Sequence, residues 1–217
     1  MSTVKKPMKI PESTAQRLSI YLRGLALFSE LGTENISSDE LGEYAGVNPA
    51  QVRKDLAYFG QFGVRGKGYL VRDLHSRIAG ILGTDQAWKV ALIGIGNLGK
   101  ALASYRGFEK QGFYIKAIFD SDEKKYGKNY RGLQIYPMTD LAKVVQEESI
   151  RIGIIATPAE TAQEVTDALI ESGVGCILNF APIRISVPKH IKLRYVDLST
   201  ELESLSFYLT QLGRLNI

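Results

Sequence analysis

Gly94, Gly96 and Gly99 fall within "VALIGIGNLGKAL", residues 90–102, where an apolar run leads into the glycines and then into a helical pattern. This G-x-G-x-x-G spacing suits a loop that wraps a pyrophosphate. Gly94 allows the tight turn, and Gly96 lets the backbone approach the phosphates at a helix N-terminus. Gly99 allows close packing of helix on strand. Ile95, Asn97 and Leu98 complete the loop. The next apolar run, "YIKAIFD", ends in Asp120, a carboxylate placed to accept hydrogen bonds from ribose hydroxyls. It disfavours a 2′-phosphate, so NADH and NAD+ are expected over their phosphorylated forms, although Lys124 and Lys125 follow closely. Two further run ends should line the same crevice: Ala156, Thr157 and Pro158 in "IIATPAE", and Asn179 and Phe180 in "ILNFAP". A Rossmann-like fold holding coenzyme A remains an alternative on the residues alone.

A second constellation precedes the glycines. In "NPAQVRKDLAYFGQFGVRGKGY", Val52, Leu56 and Phe59 form one apolar stripe at helical spacing. Gln51, Lys54 and Tyr58 fall on the opposite face, with Arg53 on its flank. An amide, cations and a phenol on one helix face can reach base edges and phosphates in a major groove. Arg65 and Lys67 stand among glycines in what reads as a basic wing, able to approach a minor groove. A solvated basic surface is the competing reading.

Other reactive residues are sparse. Of the two histidines, His75 falls in an expected linker, "DLHSR", and His190 in a turn near the last strand. Neither is placed as a general base. No nucleophile triad and no clustered metal ligands stand out, so neither a catalytic centre nor a metal site is expected. The single cysteine, Cys176, sits in "VGCILNF" and reads as an inert core residue. No disulfide framework is possible within the chain.

These residues need elements to position them. After about residue 84, apolar runs Val90–Ile93, Ile115–Phe119, Ile152–Ala156, Gly175–Leu178 and Leu193–Val196 alternate with helical stretches. That alternation predicts a parallel sheet covered on both faces. Before it, three helices and a hairpin are expected. The first covers roughly Glu12–Leu31. The second starts at a capping box of Ser37 and Glu40, and the third at Asn48-Pro49. Only "AGVN" separates the second and third, a helix-turn-helix signature. The fold class is thus α/β: residues 1–83 a winged helix-turn-helix domain, 84–198 a Rossmann domain, and 199–217 a C-terminal dimerisation helix.

The bulk properties agree. A chain of 217 residues, 45% hydrophobic, can bury one large or two small cores. The net charge of +4 is modest, but residues 49–77 hold six basic side chains against two acidic ones. Such clustering makes an electrostatic footprint for phosphate. No apolar run approaches the length of a membrane span, and no apolar stretch follows the N-terminal lysines. A cytoplasmic protein without a membrane partner is expected.

Over nearly its whole length the chain resembles the Rex family of redox-sensing transcriptional repressors. The resemblance rests on "SSDELGEYAGVNPAQVRKDLAYFGQFGVRGKGY", "IGIGNLGKAL", "FDSDEKKYG", "IATPAETAQEVTDALIESGV", "ILNFAPI" and "VDLSTEL". It implies a homodimer that binds a palindromic operator in double-stranded DNA and is released by NADH, with NAD+ permitting binding. It also implies that the C-terminal helix, Ser199–Leu212, is exchanged between subunits. Carried over residue by residue, Lys54 matches the base-contacting lysine, while Arg23, Tyr105 and Asp197 match the residues that switch between DNA and NADH. One departure is Ala57, where the family commonly has serine. An NAD-dependent oxidoreductase and a coenzyme A-binding protein, each with an accessory helical domain, are the rival readings. Both leave the basic helix-turn-helix unexplained.

Overall fold

The computed structural model describes residues 10–63 and 67–214, with two compact units that part between Gln86 and Ala87.

Unit one is helical. Helix α1 (Glu12–Glu30) buries Leu18, Tyr21, Leu22 and Leu25, one stripe at helical spacing. They share a core with Leu41, Val52, Leu56, Leu74 and Ile78. Helix α2 (Ser38–Ala45) opens on the expected capping box: Ser37 accepts from the Glu40 amide, and Glu40 accepts from the Ser37 amide. It ends at Gly46, whose φ of 67° is left-handed. Helix α3 (Pro49–Ala57) starts where Asn48 accepts from the Gln51 amide, with proline in the first turn.

The region after α3 differs from expectation. Strand β2 (Tyr69–Leu70) pairs antiparallel with β1 (Asn35–Ile36), a strand that lies before α2. Directly after β2 the chain enters a fourth helix, α4 (Val71–Leu82). His75 is therefore on a helix rather than in a linker. Val71, Leu74 and Ile78 bury themselves at helical spacing, which holds the segment helical without a side-chain N-cap. The tip of the predicted wing, including Arg65, lies outside the described residues.

Unit two is a sheet with helices on both faces. Its strands are β3 (Trp88–Ile93), β4 (Phe113–Asp120), β5 (Asn129–Tyr130), β6 (Leu133–Pro137), β7 (Ile152–Ile155), β8 (Cys176–Asn179) and β9 (Lys192–Tyr195). They stand in the order β5-β6-β4-β3-β7-β8-β9, all parallel except β5. The order reverses between β3 and β7, and ligands of such folds bind at that switch point. Side chains alternate between two cores: Ala91, Ile93, Ala117 and Phe119 face one, and Val90, Leu92 and Ile118 the other. Helices α7 (Leu141–Glu147) and α8 (Ala162–Glu171) supply Leu141, Val144, Val165 and Leu169 to the first core. Helices α5 (Asn97–Ala103) and α6 (Gly107–Lys110) supply Leu102, Ala103 and Phe108 to the second. No α-helix crosses from β4 to β6; a short 3-10 turn and β5 make that connection instead.

Cys176 is a correction. It is exposed, not buried, because it is the first residue of β8, where the strand emerges from the sheet end. The last helix, α9 (Leu198–Arg214), has the expected amphipathic sequence, yet Leu202, Leu205, Leu209 and Leu212 are all exposed.

Candidate dinucleotide site and nucleic-acid interface

The glycine loop joins β3 to α5 under steric constraints that no other residue meets. Gly94 has φ +93°, and a Cβ there would lie 2.6 Å from the Ala156 carbonyl oxygen. A Cβ on Gly99 would collide with the Gly94 carbonyl oxygen. Gly96 faces open space. The first and third glycines therefore hold the loop against the sheet, and the second clears an approach for a ligand.

Next to the loop, Asp120 ends β4 with only 7% of its surface exposed. One carboxylate oxygen accepts from the Ile95 amide at 2.8 Å, and the other from the Asp122 amide at 2.9 Å. Lys125 Nζ lies 3.1 Å from both. Burial pushes the carboxyl upward in pKa, but the two amides and Lys125 outweigh it and hold it below the usual carboxylate range. Asp120 is thus an anion fixed in the loop's own hydrogen bonding.

A cavity of about 680 Å³ opens at this point, lined by Gly94, Gly96, Asp120, Ala156, Thr157 and Pro158 among others. Six expected residues from three strand ends therefore meet. Thr157 Oγ1 is buried there without a hydrogen-bond partner among the described residues. An orphaned hydroxyl in a cavity is poised to bind a polar ligand. A dinucleotide fits this lining: open space over Gly96, an anionic hydrogen-bond acceptor for ribose hydroxyls, a free hydroxyl, and apolar walls from Met138, Val165 and Ala168. The sequence reading missed Met138, Thr139 and Glu164, because it looked for the lining only at strand ends. Lys125, one of the two lysines that follow Asp120 in sequence, pairs with that carboxylate and also lines the cavity.

The remaining expected cofactor residues are dispersed. Ile95 is buried, with its amide spent on Asp120. Asn97 and Leu98 are exposed at the start of α5. Asn179 is fully buried, and its amide braces the following loop: it accepts from the Ala181 amide and donates to the carbonyls of Ala181 and Ile183. Phe180 packs against the second core. Asn179 and Asp197 line a separate cavity of about 340 Å³. Tyr105 is 61% exposed, stacks edge-on against Phe108 at 5.0 Å, and lines a third cavity of about 410 Å³. Arg23 is exposed on α1 in unit one.

On α3, Lys54 and Arg53 are exposed and Tyr58 is half-buried just past the helix end. Arg53 donates to Ser38 Oγ at 2.7 Å, tying α3 to α2. Gln51 is not a free side chain of an outer face: its Nε2 donates to Asp55 at 2.8 Å. Lys67 is exposed. Asp55, which sequence reasoning passed over as one acid among bases, is fully buried on the inner face of α3.

Comparison with known proteins adds the following. The family described as "CoA binding domain" matches residues 85–183, and "Putative DNA-binding protein N-terminus" matches residues 9–57. The "Redox-sensing transcriptional repressor Rex" of Desulfitobacterium hafniense is 50% identical over 202 residues, covering 93% of this chain and 96% of its own. RSP, crystallised with β-NAD+ and operator DNA, superposes with a TM-score of 0.90 at 35% identity, covering 96% of each chain. RSP with β-NADH gives 0.86 at 34%, covering 96% of this chain and 98% of its own.

Proposed function

The chain belongs to the Rex family of redox-sensing transcriptional repressors, and from that premise we propose that it binds operator DNA through unit one and reads the NADH/NAD+ balance through unit two. The observation that carries this reading is the glycine-lined cavity beside Asp120, on the same chain as a helix-turn-helix bearing Lys54. RSP has been crystallised with the same three ligands. Gly94, Gly96, Asp120, Ala156, Thr157 and Pro158 hold the dinucleotide; Lys54, Arg53, Tyr58 and Lys67 face the DNA, while Gln51 is held by Asp55; Arg65, outside the described residues, is a further candidate contact.

The active species is a cytoplasmic homodimer on a palindromic operator, since a two-fold protein matches a two-fold site. The exposed apolar stripe of α9 supplies the exchanged contact. A ligand shifts an equilibrium only through different interaction with its two states. NAD+ carries a positive nicotinamide ring and NADH a neutral one. Asp197 is the residue that responds: it pairs with Arg23 in the DNA-binding state and turns to Tyr105 when NADH is bound. The protein is not an enzyme in this reading. His75 sits in unit one, and His190 is exposed and outside the crevice lining. Among the described residues no group of three or more His, Cys, Asp or Glu could hold a metal, and no helix is long and apolar enough to cross a membrane.

The test is a titration of a labelled operator duplex with protein, with and without NADH, NAD+, NADPH or coenzyme A. NADH is expected to release the DNA and NAD+ to permit binding. NADPH should be far weaker than NADH, because a 2′-phosphate meets Asp120. Turnover of the nicotinamide without DNA binding selects the oxidoreductase reading. A response to coenzyme A alone selects the other rival.

A further inference from the structure

Asp55 lies in the last turn of α3 next to the exposed Lys54, and is completely buried. Its carboxylate accepts from four side chains. Thr14 Oγ1 donates at 3.0 Å and Tyr21 OH at 2.9 Å. Arg17 donates through Nε at 2.6 Å and through Nη2 at 2.7 Å, a two-point grip. Gln51 Nε2 donates at 2.8 Å. Three of these donors, at positions 14, 17 and 21, line one face of α1; the fourth is one turn back on α3.

A buried carboxylate is costly unless its lone pairs are filled and its charge is matched. Here the charge is matched by Arg17 of α1, and three of the four donors come from α1. The arrangement is satisfied at one relative placement of the two helices, because the two-point Arg17 contact and the Tyr21 contact approach the same carboxylate from different positions along α1. An apolar contact tolerates sliding; this one does not. The carboxylate also fixes Gln51, since it can only accept, so the amide nitrogen must face inward and the amide oxygen away.

We infer that Asp55 is a positioning residue for DNA recognition: it clamps α3 to α1, sets the angle at which Lys54 is presented, and makes the two helices travel as one body. The inference rests on the reading of α3 as the helix that contacts DNA. Its consequence is that specificity for the operator, rather than general attraction to DNA, depends on side chains that never touch DNA. Phosphate attraction comes from cations and tolerates misorientation, whereas base contacts do not.

The experiment compares the full-length native protein with Asp55→Asn and Tyr21→Phe. The readouts are affinity for the operator duplex, affinity for a scrambled duplex of equal length, and NADH binding by fluorescence, at a temperature where each protein is folded by circular dichroism. Asp55→Asn is expected to lower operator affinity by about tenfold or more, in proportion to lost hydrogen bonds to a charged group. Tyr21→Phe, which removes one hydroxyl from the clamp and leaves the ring packed, is expected to lower it severalfold. Scrambled-duplex affinity and NADH binding should stay native in both. If Asp55→Asn does not fold, Tyr21→Phe decides. A folded Tyr21→Phe protein with the native ratio of operator to scrambled affinity overturns the inference, as does an equal loss on both duplexes. A native protein with no operator preference at all instead sinks the repressor reading itself.

Discussion

Gly94 illustrates how much one residue can decide. Its φ of +93° lies where L side chains are strained, and the Ala156 carbonyl occupies the space a methyl group would need. Gly94→Ala should therefore push β3 from β7 at the mouth of the cavity. We expect at least a tenfold loss of NADH binding and a lowered thermal midpoint, with about 1–3 kcal/mol of stability lost to backbone strain. Fluorescence titration and thermal unfolding would check both. Two buried aspartates predict the acid limb of the stability curve. For Asp55, as for Asp120, burial raises the pKa, but hydrogen bonds, led by Arg17 for Asp55 and by the Ile95 amide for Asp120, hold it below normal. A folded pKa below the unfolded value of about 3.9 means that both contribute stability above that pH. That contribution is lost as pH falls through about 4 toward the lowered folded values. The thermal midpoint should drop most steeply there; a midpoint unchanged between pH 5 and pH 3 would contradict the assignment.

At the scale of elements, α3 divides its side chains between two tasks. Arg53 and Gln51 donate into unit one, to Ser38 and Asp55, while Lys54 is exposed. Lys54→Ala should therefore cost operator binding about 1–3 kcal/mol per half-site if it contacts guanine. NADH binding should be unchanged, since the cavity is built entirely from unit two. A Lys54→Ala protein with native operator affinity would show that another element reads the bases. Helix α9 raises a different question. A helix with Leu202, Leu205, Leu209 and Leu212 all exposed has little reason to be stable alone, because amphipathic helices gain most of their stability from covering the apolar face. Deleting residues 199–217 should convert a dimer to a monomer in sedimentation experiments and weaken operator binding. It should leave unit two folded, as none of its core residues among those described comes from α9. A truncated protein that stays dimeric would remove α9 from the interface.

For the whole molecule, the proposed response to NADH joins parts that lie in separate places. Tyr105 and Asp197 line different cavities of unit two, and Arg23 belongs to unit one. Allosteric coupling of this kind is typically about 1–3 kcal/mol. Tyr105→Phe keeps the ring against Phe108 and removes only the hydroxyl that Asp197 is proposed to meet. It should bind NADH normally yet release the operator poorly. Operator affinity of native and variant protein at saturating NADH measures this directly. Equal release by both would take Tyr105 out of the switch.

Local chemistry made much of this protein legible in its sequence. The Ser37–Glu40 capping box, Asn48-Pro49 and the glycine spacing each act within a few residues, and each appears where its spacing required. The apolar runs of β3, β4 and β7 were equally plain, because strands buried on both faces must be apolar throughout. Pairing was not legible. That β2 joins β1 depends on a partner more than thirty residues away, and helix α4 occupies a stretch that read as a linker. The clearest case is Asp55. In the sequence it is one acid beside Arg53 and Lys54; in the fold it is the buried acceptor for Thr14, Arg17, Tyr21 and Gln51. Sequence fixes which groups can ionise and which segments can be helical or extended. Only the tertiary packing decides which carboxylate loses its water, since that depends on residues 34–41 positions away arriving on the same side.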